Sequence, residues 1–244
     1  MKAVITAGGR IDGAFAEAAG TCIKALAVVR GRTMLERMIE ALRTVGATGI
    51  AVVGGEEVRN ASATTVDRFV DESPSGGENL LRALRAWPDH GDPLLYATSD
   101  LPYVNAEAIA AFAARVPSGT MAIPVADGGE FFQRFPGAPP FGITLARERV
   151  VNGGVFVLPA GSQERLAAIA RKFFDARKRP WQMARLVSPI VLVRYLLGRL
   201  SVDDLEAIAL RTLEMPARAV RRCAPELAYD VDTLIEYRYA CAHG

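Results

Sequence analysis

Lys2-Ala3-Val4-Ile5-Thr6-Ala7-Gly8-Gly9 sets a short apolar run directly against a glycine pair at the head of the chain. Such a run suits a first buried strand and is too short for the apolar region of a signal peptide. The glycines that end it carry no side chain to keep an anion away from their backbone N–H groups. A Gly-Gly turn with no ligand explains such a pair equally well, and neither G-x-G-x-x-G nor G-x-x-x-x-G-K-[ST] is present, so dinucleotide and P-loop readings are disfavoured.

Outward from that strand, helix and strand signals alternate. Met34, Leu35, Met38, Ile39, Leu42 and Val45 follow helical spacing, with Thr33 and Glu36 as a capping box and Gly46 as a left-handed cap. Ile50–Val53 reads as a strand ending at Gly54-Gly55. Ser75-Gly76-Gly77-Glu78 offers a second capping box before a helix over Asn79–Trp87, and Leu94–Ala97 is a core strand leading to Asp100. Asn105 caps a helix over Ala106–Arg115, and Met121–Val125 is a strand. Gly128-Gly129 and the proline-bearing Phe135–Phe141 interrupt the pattern, and Val150–Leu158 returns to strand around Asn152-Gly153-Gly154. Ala217–Cys223 is the last strand. Alternating βα units of this kind predict a three-layer α/β domain with a mostly parallel sheet, its ligands beyond the carboxyl ends of the strands at Gly8, Gly54 and Asp100.

Composition narrows the function classes. The 244 residues are 50% hydrophobic and 23% charged with a formal net charge of +2, a balance that argues against a nucleic-acid binder. Cys22, Cys223, Cys241, His90 and His243 lie far apart without metal-ligand spacing, and an odd thiol count fits a reducing cytoplasm. The longest apolar stretch, Leu186–Leu200, contains Pro189, Arg194 and Arg199, so no spanning helix is expected. Charge is nevertheless uneven. Arg165–Arg199 carries nine cations against Asp175 alone, net +8, which leaves −6 for the rest. This stretch reads as helical, broken at Pro180 and Pro189. Ser201 begins a further helix to about Leu213. Together they read as a basic helical insertion, 162–215, before the last strand of a single domain, 1–244. Its cations are a solvated face, a grip on a phosphorylated acceptor or protein, or, with Phe173, Phe174 and Trp181, a contact with an anionic membrane surface.

The order of the motifs carries the functional signal: Thr6-Ala7-Gly8-Gly9, Lys24-Ala25-Leu26, Gly31-Arg32-Thr33-Met34-Leu35-Glu36, Ser99-Asp100-Leu101-Pro102 and Asp230-Val231-Asp232-Thr233. In this order the chain resembles the MobA-like nucleotidyltransferases, which include molybdenum-cofactor guanylyltransferases and the sugar-phosphate and isoprenoid nucleotidyltransferases. The likeness covers 3–158 and 217–237. It implies a Rossmann-like fold of the GT-A type and transfer of NMP from an NTP, GTP or CTP before ATP or UTP, to a phosphorylated small molecule with release of pyrophosphate. It also implies Mg²⁺ at Asp100 with Asp230 or Asp232, and Lys24 and Asp100 as catalytic residues. Nucleotide contacts are implied at Ala7, Gly8, Gly9, Arg10, Lys24, Gly54, Gly55 and Gly77, and acceptor contacts at Asn152 and Gly153. The chemistry asks for these types independently: displacement at phosphorus between two anions needs fixed cations and a hard metal rather than histidine.

The departures are equally specific. The tripeptide R-M-G expected after the glycines is replaced by Arg10-Ile11-Asp12-Gly13 in a longer loop, and the terminal T-P-E-D by Thr233-Leu234-Ile235-Glu236. Two other classes stay open: a glycosyltransferase of related fold, disfavoured because Asp230-x-Asp232 is C-terminal rather than mid-chain, and a degenerate nucleotide-binding or membrane-associated module.

Overall fold

Each apolar run that alternates polarity poorly is buried on both faces. A computed structural model, describing residues 1–87, 91–146, 148–176 and 189–243, shows how. β1 (Lys2–Thr6) pairs in parallel with β4 (Gly49–Gly54) on one side and with β6 (Leu94–Thr98) on the other. Ala3 and Ile5 face one core and Val4 the opposite one; Ile50 and Val52 against Ala51 and Val53 repeat the alternation. The first core is closed by α2 (Met34–Thr44) and α5 (Ala106–Ala113), through Leu35, Met38, Leu42, Ile109 and Phe112. The other is closed by α4 (Gly76–Leu84) and α7 (Gln163–Ala176), through Leu81, Leu84 and Leu166.

The nine-stranded sheet runs β5 (Arg68–Asp71), β4, β1, β6, β10 (Val155–Leu158), β7 (Met121–Asp127), β9 (Glu148–Asn152), β8 (Ile143–Leu145), with β11 (Ala217–Arg221) in parallel along β7. Strands β10, β9 and β8 make antiparallel pairs; the remainder is parallel. Strand order reverses between β1 and β6, so a crevice opens beyond their carboxyl ends. A two-stranded ribbon, β2 (Val28–Val29) with β3 (Arg32–Thr33), precedes α2. The Thr33–Glu36 capping box forms, and Gly46 takes its left-handed φ of 89°.

Several expectations need correction. Ser75 precedes α4 without capping it, because the Asn79 side chain holds Ser73 instead, accepting from its N–H at 2.6 Å and donating to its carbonyl at 3.0 Å. Gly128-Gly129 does not interrupt the fold. Asp127 accepts from both Gly129 N–H and Glu130 N–H and starts α6 (Gly128–Arg134). Val150–Leu158 is two strands rather than one: Asn152 opposes Val125, whereas Val157, five residues on, opposes Ala122, only three back. The extra length is taken up at Gly153-Gly154, where a Cβ on Gly153 would meet the Leu227 carbonyl at 2.5 Å. The last strand ends at Arg221. Three helices missing from the sequence reading are α1 (Gly13–Ala19), α3 (Glu56–Ser62) and α6.

Between β10 and β11 lie α7, α8 (Pro189–Leu196) and α9 (Val202–Leu213), which starts at a Ser201–Asp204 capping box. Pro189 opens α8 at a position where its missing N–H costs nothing. Arg177, Lys178, Arg179, Pro180, Trp181, Arg185 and Leu186 lie outside the described residues, as does His90. Among the described residues no helix is long and apolar enough to cross a membrane.

Candidate active site

The departure after the glycines has a structural reason. Arg10 forms an isolated bridge with Ile23, and Ile11 N–H donates to the Cys22 carbonyl at 3.0 Å, so α1 is looped out from a closed neck. The neck returns the chain to Lys24, whose N–H donates to the Gly9 carbonyl at 2.9 Å. The Lys24 side chain then runs over Gly9, where an added Cβ would stand 3.2 Å from its Cε. A longer loop therefore delivers the same lysine to the carboxyl end of β1.

There the lysine meets the two aspartate motifs. Nζ lies 2.6 Å from Asp100 Oδ2, just beyond β6, and 2.6 Å from Asp232 Oδ1, more than two hundred residues away. Burial alone would favour neutral Lys24, but Asp100 and Asp232 override it and hold its pKa above the ordinary value. Asp232 is placed by the residues that replace the proline-bearing terminus: Glu236 accepts from the N–H groups of Asp232 at 2.7 Å and Thr233 at 2.6 Å and completes the capping box of α10 (Leu234–Ala242). Val231 N–H donates to the Asp100 carbonyl at 3.0 Å, stitching the two carboxylate segments together. Asp230 follows Tyr229, fully buried among Phe131, Phe135, Phe141, Tyr103 and Tyr239. Its carboxyl is pushed up to about 6 by burial and by the nearby charges of Asp232 and Asp100.

The corner thus holds three carboxylates and one ammonium. Asp100 Oδ1 is buried and accepts no hydrogen bond from any described residue, an arrangement that costs free energy unless a cation or donor completes it. Hard oxygen donors with surplus negative charge fit a divalent cation such as Mg²⁺. Among the described residues no three Asp, Glu, His or Cys side chains converge as a ready-made metal cage.

Lys24 and Asp100 also line a cleft of ≈ 260 Å³ with Thr6, Gly8, Gly9, Gly76 and Asn79. Ala7 is buried beneath it, its N–H donating to the Val53 carbonyl at 2.8 Å. Gly77 is buried in the first turn of α4, and it is Gly76 that faces the cleft. Arg10 is paired with Glu72 and lies 4.0 Å from Glu57. Glu72 carried no motif signal. It stands against both glycine pairs: a Cβ on Gly8 would overlap its carboxylate, and one on Gly55 would lie 2.6 Å from it. Gly54 needs its bare backbone for a different reason, since a Cβ there would stand 2.7 Å from the Val58 side chain of α3. Gly153 is buried, and Asn152 is exposed and lines a cavity under α9.

With this geometry in hand, comparison with known proteins is decisive for the family. The profile of the MobA-like NTP transferase domain matches residues 3–230. The chain belongs to that family. It is a nucleotidyltransferase enzyme by fold and family. A hypothetical transferase from Thermus thermophilus superposes with a TM-score of 0.82 at 31% identity, over 97% of this chain and 100% of that one. A nucleotidyl transferase from Methanothermobacter thermautotrophicus (TM-score 0.58, 19% identity, 99% and 96% covered) shares the fold, as does 2-C-methyl-D-erythritol 4-phosphate cytidylyltransferase from Thermus thermophilus (0.54, 20%, 99% and 97%). No curated protein sequence matches.

Proposed function

We propose that this nucleotidyltransferase joins the NMP of an NTP to a phosphorylated small-molecule acceptor, releasing pyrophosphate, with Mg²⁺ as cofactor. The observation that carries the reading is Lys24 held between Asp100 and Asp232 beside Gly9, next to a buried carboxylate oxygen with no partner among the described residues. An acceptor phosphate oxygen attacks the α-phosphorus, the bond from the α-phosphorus to its bridging oxygen breaks, and pyrophosphate leaves with the electron pair. Negative charge grows on the α-phosphoryl oxygens and on the departing group. The Gly8 and Gly9 backbone gives the phosphates close approach to N–H donors, and Lys24 supplies a fixed positive charge where that charge grows. Asp100, with Asp230, is the pair that would hold Mg²⁺, which when bound neutralises phosphate charge. Asp232 acts through Lys24, fixing where the ammonium points. GTP and CTP are the expected donors, and the base is read near Gly54-Gly55 and α4.

Two measurements test this. A ligand at ~100 times its Kd adds ~2.7 kcal/mol of stability, so the preferred NTP with Mg²⁺ should raise Tm by roughly 5–11 °C in a chain of this size. Asp100→Asn keeps the shape of the side chain and removes its charge; it should abolish Mg²⁺-dependent pyrophosphate release while the protein still folds. Wild-type release by that variant would overturn the assignment.

A further inference from the structure

The cleft at Lys24 does not end at its polar wall. Leu80, Tyr96 and Thr98, which line it, also line a ≈ 510 Å³ cavity on the α4–α7 side of the sheet. Its other walls include Leu84, Leu158, Leu166, Ile169 and Ala170. Through Met121, Phe156 and Leu213 it adjoins a second cavity of ≈ 250 Å³ between the sheet and α9, lined by residues such as Val125, Leu145, Leu205 and Ala209. Tyr96 stands at the boundary with its two ends in different surroundings. Its hydroxyl meets Thr6 Oγ1 at 3.1 Å near the cleft, and its ring meets Phe156 edge-on with centroids 5.7 Å apart.

Both spaces are partly open grooves, and walls this apolar offer water few hydrogen-bond partners, so a volume of this size and lining suits an apolar ligand. Position identifies the ligand further. One end of the space borders the site where an acceptor phosphate must present its oxygen to the α-phosphorus. The other lies under α9. Leu196 of α8, Leu197 just after it and Leu210 of α9, the residue after the cavity-lining Ala209, are exposed at 73%, 62% and 50%.

We propose that the acceptor is an amphiphile, a phosphate monoester on an apolar chain, whose phosphate sits in the Lys24 cleft while its chain occupies the cavities behind Tyr96. The inference rests on the nucleotidyltransferase reading and specifies its acceptor. The phosphate oxygen forms the new bond to the α-phosphorus, pyrophosphate departs, and the chain contributes binding alone.

The test uses the whole wild-type protein with its preferred NTP and Mg²⁺, and n-alkyl phosphates from butyl to dodecyl, each below its micelle concentration. KM for the alkyl phosphate should fall up to about fourfold per added methylene, the equivalent of ~0.8 kcal/mol of burial, until the space is filled. Ala170→Trp, which projects into the first cavity, should shorten the longest chain that still gains affinity, with the NTP-dependent rise in Tm unchanged. Ala209→Phe does the same for the second cavity and serves if the tryptophan variant does not fold. Affinity that is independent of chain length, with the NTP response intact, would overturn the amphiphile and leave the nucleotidyltransferase reading standing. Absence of any NTP response in the wild-type protein would overturn both.

Discussion

Lys24 is the residue on which the chemistry converges, because its ammonium stands 2.6 Å from both Asp100 and Asp232 at the wall of the cleft. An ammonium placed where charge grows during displacement stabilises the transition state more than the bound substrate, so its loss should appear in turnover. Lys24→Ala should cost ~2.7 to 4 kcal/mol, on the order of a hundredfold to a thousandfold in kcat, with a smaller change in NTP affinity. Lys24→Arg should recover only part, since a planar fork replaces a point charge between Asp100 and Asp232. Near-normal kcat for Lys24→Ala at saturating NTP would remove it from the mechanism. The aspartates beyond it should separate in a different measurement. Asp230 has a folded-state pKa of about 6, above the ordinary carboxylate value, first because of burial and then because of Asp232 and Asp100. A raised carboxyl favours the folded state most when protonated. That contribution is complete below pH ~4 and is lost as pH rises through about 6. In metal-free protein with chelator, Asp230→Asn should therefore raise Tm at pH 7.5 and leave it unchanged near pH 4, the gain being at most about 2 kcal/mol after solvent screening. Asp232→Asn, exposed and bonded to Lys24, should lower turnover without that gain. A Tm of Asp230→Asn that tracks wild type across the range would show that the carboxyl carries no penalty.

At the scale of elements, the C-terminal segment shows how a changed motif can keep its function. Glu236 replaces no catalytic group; its carboxylate gathers the N–H groups of Asp232 and Thr233 and sets the turn that aims Asp232 at Lys24. Glu236→Ala should cost ~1 kcal/mol as a lost cap, and lower kcat more than the stability loss explains because Asp232 is released. Equal kcat in the two proteins would confine Glu236 to stability. The sequence made this segment partly legible. Asp230-x-Asp232 was readable as a pair, and the Thr33–Glu36 and Ser201 signals as helix starts, because local hydrogen bonding is written within a few residues. The core strands at Ile5, Ile50 and Leu95 were legible for the same reason, each being a short apolar run with a marked end. What escaped notice depends on distant partners. Helix α1 sits inside a loop whose closure comes from the Arg10–Ile23 bridge, and β5 is held by β4 rather than by its own pattern. The failed cap at Ser75 is decided by Asn79, four residues on, which binds Ser73 instead. Glu72 has no signature at all. Only the folding of β5 beside β4 brings it to Gly8 and Gly55.

Over the whole molecule, a net charge of +2 conceals a division, with +8 concentrated in Arg165–Arg199 and −6 on the remainder. A chain so divided orients in an electric field even though its overall charge is small. The basic stretch includes α8, which carries the exposed Leu196 and borders Leu197. Cations beside outward apolar groups suit an anionic lipid surface, where each Lys or Arg contributes ~1 kcal/mol within a Debye length of ~8 Å at physiological salt. The alternative, a solvated face, predicts no attachment at any ionic strength. Wild-type protein should therefore sediment with vesicles of anionic phospholipid at low salt and be released as salt rises, and should ignore neutral vesicles. Reversing Arg177, Lys178 and Arg179 to Glu changes the local charge by six units and should abolish sedimentation. Leu196→Ser with Leu197→Ser should weaken it and leave its salt dependence in place, since that pair removes apolar contact and no charge. Neither change touches Lys24, Asp100 or the glycine pair, so the rise in Tm with NTP should be the same in all three proteins. Equal sedimentation of wild type and the charge reversal would assign the nine cations to a solvated face, because a surface held by electrostatics cannot be indifferent to the sign of the charges that meet it.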